Sequence, residues 1–197
     1  MFHRLPFEIV LASGSPRRAQ LLKECGFQFE VQVFEVDESI DPSWPIIKAP
    51  ELLALKKAKE AFRQIPSASE KLIIAADTMV ILNDTPLNKP ADLHEAQQML
   101  KAISGQTHLV VTGVALEGVH ELTFHDVTEV QFDHLSDREI DYYLHQYKPF
   151  DKAGAYGIQQ WIGHNKIKSI QGSYTNVMGL PTAKLFQAFR LIIGDFI

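Results

Sequence analysis

The stretch EIVLASGSPRR, residues 8–18, decides the fold of this chain. Ile9 to Ala12 is an unbroken apolar run and reads as a short buried strand over 8–12. It passes directly into Ser13-Gly14-Ser15-Pro16. Ser15 is a good helix N-cap, and Pro16 suits the first helical position, where no N–H is needed. Leu21, Leu22 and Cys25 then supply an apolar stripe, and Gly26 a C-terminal stop. Strand, Gly/Ser turn, helix is the opening unit of an α/β protein.

Working outward, Phe27 to Val36 alternates as a second strand, and 37–49 reads as loop. Leu55, Ala58 and Phe62 mark a helix over roughly 50–63. Lys71 to Leu82 contains IIAAD, a buried strand ending in Asp77-Thr78, then MVIL, with a turn at Asn83-Asp84. Asp92/Glu95 and Ser136/Glu139 have the spacing of capping boxes, and each opens a helix of 3.6 periodicity. Strands are predicted over 108–116 and 123–132, paired antiparallel through Glu117-Gly118, and a short one over 166–170. A last helix is expected over 182–193. Strands and helices interleave, so the expected class is α/β with a mixed twisted sheet and flanking helices. Residues 1–197 suit a single domain, or two closely joined lobes.

Composition narrows the chemistry. Hydrophobic residues make up 46% of the chain, enough for a sizeable core. A net charge of −5 disfavours nucleic acid and anionic membrane as partners. A phosphorylated ligand would therefore need a local cluster of cations. The single cysteine, Cys25, excludes an internal disulfide framework, and an inert buried thiol is expected there. No run approaches transmembrane length, and Pro6 and Glu8 interrupt the apolar opening, so a cytoplasmic location is expected.

Several residues could carry chemistry. A helix N-terminus has unsatisfied N–H groups and partial positive charge. Ser13 and Ser15 add hydroxyls there, and Arg17 and Arg18 add guanidinium forks that match phosphate. Two cations in a first helical turn are unfavourable unless an anion joins them. Asp77, at the end of a buried apolar run, is placed to hold a metal or activate water, though an Asp that starts a turn is as frequent. Lys57, Lys89, Lys152 and the acids Glu35, Asp37 and Glu38 are individually ordinary surface charges. Gly154-Ala-Tyr-Gly-Ile-Gln159 suits either a loop approaching a ligand or a plain turn, and the Gln159 amide both donates and accepts. Segments 172–176 and 179–181 read as turns, or as loops beside a ligand. There is no P-loop motif and no G-x-G-x-x-G. His120 and His125 are five apart in a strand-like segment, the wrong spacing for a zinc protease.

Taken in order, LASGSPRR at 11–18, LKKAKEA at 55–61, AADTMV at 75–80, LNKP at 87–90, DKAGAYGIQ at 151–159 and GSYTNVMGLP at 172–181 resemble the Maf family. The resemblance spans nearly the whole chain. It implies a Maf/ITPase-like fold of two lobes flanking a cleft, often dimeric, so a homodimer is expected. It implies hydrolysis of a nucleoside triphosphate between its α and β phosphates, aided by a divalent cation, Mg²⁺ or Mn²⁺. Asp77 matches the family's general base or metal-linked activator of water. Ser13, Arg18, Lys57 and Lys89 match groups around the phosphates, Lys152 lies in a matching motif, and Glu38 matches an acidic metal position. Arg17, Thr78 and Gln159 match the branch acting on dTTP and UTP. The branch acting on 7-methyl-GTP carries Trp in place of that Arg. A purine or modified nucleotide is one alternative, kept open by Trp161 beside Gln159. A non-catalytic nucleotide-binding regulator of cell division is the other.

Overall fold

A computed structural model describes residues 5–194. The opening unit forms as expected: β1 spans Glu8–Ala12 and α1 Pro16–Glu24, with Ser15 at the N-cap and Pro at N1. β2 is limited to Glu30–Gln32, shorter than the alternation at 27–36 predicts. It pairs in parallel with β1 alone and lies at the sheet edge, with Val31 and Val33 exposed. α2 covers Ala49–Gln64 and β3 covers Lys71–Leu82. Asn83 and Asp84 both take positive φ, the geometry of a tight hairpin turn, and fold β4 (Thr85–Leu87) back onto β3. Pro86 hid this strand from the sequence reading.

α3 is Leu93–Ile103, β5 Thr107–Gly118 and β6 Leu122–Phe132. α4 is Asp137–Tyr147, α5 Trp161–Lys166 and β7 Ile167–Gln171. α6 is Tyr174–Met178 and α7 Thr182–Ile193. The Ser136/Glu139 capping box is complete. At α3, Asp92 accepts from the Glu95 N–H at 2.8 Å, but Glu95 answers to the Ala91 N–H at 2.7 Å, one residue early.

The sheet runs β2-β1-β3-β5-β6-β7, with β4 beside β3. β1 pairs in parallel with β2 and β3, while β3–β4 and β6–β7 are antiparallel. The mixed α/β class is therefore as predicted. The chain divides into two compact units. Of the described residues, the first holds 5–77, 112–126 and 179–194, and its apolar cluster joins Val10, Ala12, Ile73 and Ala75 to Ala54, Ala58 and Ala61 of α2. The second holds 78–111 and 127–178, and packs α3 and α4 through Leu100, Ile103, Ile140 and Leu144 against Val110, Val130 and Phe132.

Two local readings need correction. Residues 174–178 are helix rather than turn, and Asn176 is fully buried. Its amide donates to the Val110 carbonyl and to Thr128 Oγ1, both at 2.9 Å, so it closes the core of the second unit. Cys25 is half-buried at the C-cap of α1.

Candidate active site

The first unit gathers most of the charged residues singled out above. Asp77 follows the buried run Leu72–Ala76 but lies in the middle of β3, not at a strand end as expected, because the strand continues through Leu82 into the hairpin with β4. The apolar side of α2 sets that helix against the same cluster. From α2, Lys57 Nζ donates to Asp77 Oδ1 at 2.6 Å and lies 2.8 Å from Glu38 Oε1. Two carboxylates from different segments thus converge on one ammonium. Asp77 Oδ2 has no protein donor among the described residues.

Arg18 is oriented by a fork. Its Nε donates to the Gly179 carbonyl at 2.8 Å and its Nη1 to Ser13 Oγ at 3.1 Å. Ser13 is buried, and its Oγ also accepts from the Ser15 N–H at 3.3 Å. The Ser15 side chain makes no cap bond, so it does not occupy the first-turn N–H groups of α1. Burial pulls the Arg18 guanidinium below its ordinary value; Asp77 opposes this, Arg17 reinforces it, and Glu38 opposes it. Arg18 therefore lies within reach of the charges of Asp77, Arg17 and Glu38. A site of this composition binds a polyanion through its cations and keeps a carboxylate beside it.

The position of α2 is itself fixed. Glu51, in its first turn, is buried. It accepts from Thr123 Oγ1 at 2.7 Å and Lys48 Nζ at 3.1 Å, and lies 2.6 Å from His125 Nδ1. Gly113 of β5 lies under this turn, where a Cβ would stand 2.2 Å from the Glu51 nitrogen.

Residues 8–192 match a family described as Maf-like protein. The chain belongs to the Maf family. Among Maf relatives, the dTTP/UTP pyrophosphatase of Flavobacterium johnsoniae is 42% identical over 95% of this chain and 96% of its own. Those of Cytophaga hutchinsonii and Phocaeicola vulgatus are each 46% identical, over 90% and 93% of this chain and 81% and 95% of their own. The Ham1 protein of Staphylococcus aureus has a similar fold, with a TM-score of 0.54 at 16% identity, covering 92% of this chain and 97% of its own.

Ser13, Arg18, Glu38, Lys57 and Asp77 of the Maf motifs are thus brought together, with Arg17 beside Arg18. Thr78, Lys89, Lys152 and Gln159 belong to the second unit. Lys89 is exposed, while Lys152 and Gln159 are half-buried. Trp161 packs edge-on to Tyr142, 5.3 Å between ring centres, and against the apolar cluster of that unit. Its ring is engaged in packing. The histidines excluded as a zinc pair are separately used: His125 meets Glu51, and His120 packs edge-on to Phe7. The Gly179 carbonyl and the Glu51 anchor were not singled out in the sequence. Gly-Leu-Pro signals a turn, but which carbonyl it aims at an arginine has no sequence signature.

Proposed function

We propose that this protein hydrolyses dTTP and UTP to the nucleoside monophosphate and pyrophosphate. The observation that carries the reading is the Asp77 carboxylate, bonded through Oδ1 to Lys57 beside Arg18, with Oδ2 accepting from no described residue. The names of the Maf relatives support the same reaction and substrates.

In this reading Arg17, Arg18 and Lys57 bind the phosphate tail, assisted by Lys89 and Lys152. Asp77 orients a water and takes its proton as the water oxygen bonds to the α phosphorus. The bond from that phosphorus to the bridging oxygen breaks, and pyrophosphate leaves with the electron pair, its charge held by the cations. Gln159, with Thr78, selects the base: one amide offers both a donor and an acceptor to the imide edge of thymine or uracil.

Mg²⁺ or Mn²⁺ is the proposed metal. Among the described residues no group of three or more His, Cys, Asp or Glu gathers. Two carboxylates do converge where Lys57 already places a positive charge. A hard cation takes one or two carboxylates and fills its shell with water and phosphate oxygens, so here it would share or displace the Lys57 ammonium between them. Glu38 and Asp77 would hold it, and its chemistry there is neutralisation of phosphate charge. A cytoplasmic, homodimeric enzyme completes the reading; among the described residues no helix is long and apolar enough to cross a membrane.

The test is hydrolysis of dTTP and UTP in ¹⁸O-labelled water, with Asp77→Asn in parallel. Label in the monophosphate, lost in the variant, is the expected result. Diphosphate and free phosphate as products, or label in pyrophosphate, would overturn it.

A further inference from the structure

Gln159 is half-exposed, and its side-chain amide bonds to no described residue. The chain on both sides of it is held by a single atom. The Tyr143 hydroxyl, on α4, accepts from the Gly157 N–H at 3.0 Å and donates to Gln160 Oε1. It thereby uses its donor and a lone pair on two groups that flank Ile158-Gln159. The Tyr143 ring is fully buried, and Ile158 is buried too. A second phenol fixes the approach: Tyr156 lies 2.7 Å from His108 Nε2 and packs edge-on to Phe132. The Gln160 N–H closes a turn on the Gly157 carbonyl at 3.0 Å. Residues 157–160 therefore form an arch whose feet both rest on Tyr143 Oη.

We infer that Tyr143 is a positioning residue for base selection, its hydroxyl fixing the arch that presents the Gln159 amide. The inference rests on the reading that Gln159 selects the base. An amide that flips offers a donor where it offered an acceptor, and so suits cytosine as well as thymine. Selectivity then depends on how firmly the carrier loop is held. Removing the hydroxyl frees the Gln160 end and leaves the buried Gly157 N–H without its acceptor. Gly157 gives a second handle that leaves Tyr143 unmutated. A Cβ there would stand 2.8 Å from Gln160 Oε1 and 3.1 Å from Lys152 Cε, displacing the oxygen that accepts from Tyr143.

The experiment compares kcat and KM for dTTP, UTP and dCTP in the wild type, Tyr143→Phe, Gly157→Ala and Gln159→Ala, all with Mg²⁺. Tyr143→Phe is expected to raise KM for dTTP and UTP about tenfold, keep kcat within about twofold, and narrow selectivity over dCTP by about tenfold. Gly157→Ala narrows selectivity in the same sense, and decides the matter if the tyrosine variant fails to fold. If Gln159→Ala loses selectivity while the other two keep it, the positioning role is overturned and base reading stands. If Gln159→Ala keeps full selectivity, base reading falls and the inference falls with it.

Discussion

Lys57 Nζ stands 2.6 Å from Asp77 Oδ1, joining α2 to β3 across 20 residues of chain. The same ammonium reaches Glu38 at 2.8 Å. Replacing it with Met keeps the stem but leaves two carboxylates facing each other without their shared cation. Steady-state kinetics on Lys57→Met should show kcat/KM reduced at least about 100-fold. Lys57→Arg should not restore it, because a planar fork cannot occupy the place of a compact ammonium. Activity near wild type in either variant would remove Lys57 from the site.

Arg18→Lys is expected to be far from conservative. Nε and Nη1 serve Gly179 and Ser13 from two points of one rigid plane. A lysine can meet only one of them. Loss of one partly buried charged hydrogen bond should cost about 2 kcal/mol in urea unfolding. KM for dTTP should rise as the arginine fork is lost. An unchanged KM and midpoint would show that the fork is dispensable.

Glu51→Gln tests whether anchoring α2 matters to Lys57. Burial pushes the Glu51 carboxyl up, but His125, Thr123 and Lys48 outweigh it, so the net shift is downward from 4.5. A lowered folded value means the stabilisation is full above about 4.5 and lost as pH falls through the folded value. Denaturant titration should find the variant about 2–3 kcal/mol less stable at pH 7, with the deficit shrinking in acid. An equal deficit at every pH would assign the loss to packing.

His108 gives the protein a second acid-sensitive point. Burial between Phe132 and Tyr156 pulls its imidazole down to about 4 from 6.5. Between those values the unfolded chain binds the proton and the folded one does not. Stability should therefore fall as pH drops from about 6.5 towards 4, by about 3 kcal/mol in all. His108→Phe should flatten that part of the pH profile in urea melts. A wild-type profile flat between pH 7 and 4 would rule the effect out.

The fold was legible where burial is one-sided and continuous. IIAA in β3, the capping-box helices and the Ser15-Pro16 helix start each state their structure locally. The alternation at 27–36 runs beyond β2 because Val31 and Val33 keep strand periodicity although neither is buried. α6 was under-read because a helix closed by a buried asparagine looks polar in sequence. In the candidate site, the motifs drew attention to Ser13, Arg18, Lys57 and Asp77, while Glu38 stood among the acids Glu35, Asp37 and Glu38 with no motif of its own. The motifs include Gly179 but do not show that its carbonyl meets Arg18, and they leave out Tyr143, whose hydroxyl bonds depend on where α4 lies.

Gly113 carries a consequence for how this protein can vary. Its missing side chain lets the backbone of Pro50 and Glu51 approach to where a Cβ would sit, 2.2–2.3 Å from their atoms. Every missense change of a glycine codon adds at least that carbon. Position 113 is therefore closed to drift, although it bears no chemistry. In a saturation library selected for function, it should come back as empty as Asp77, making the least substitutable positions an unreliable guide to the catalytic ones.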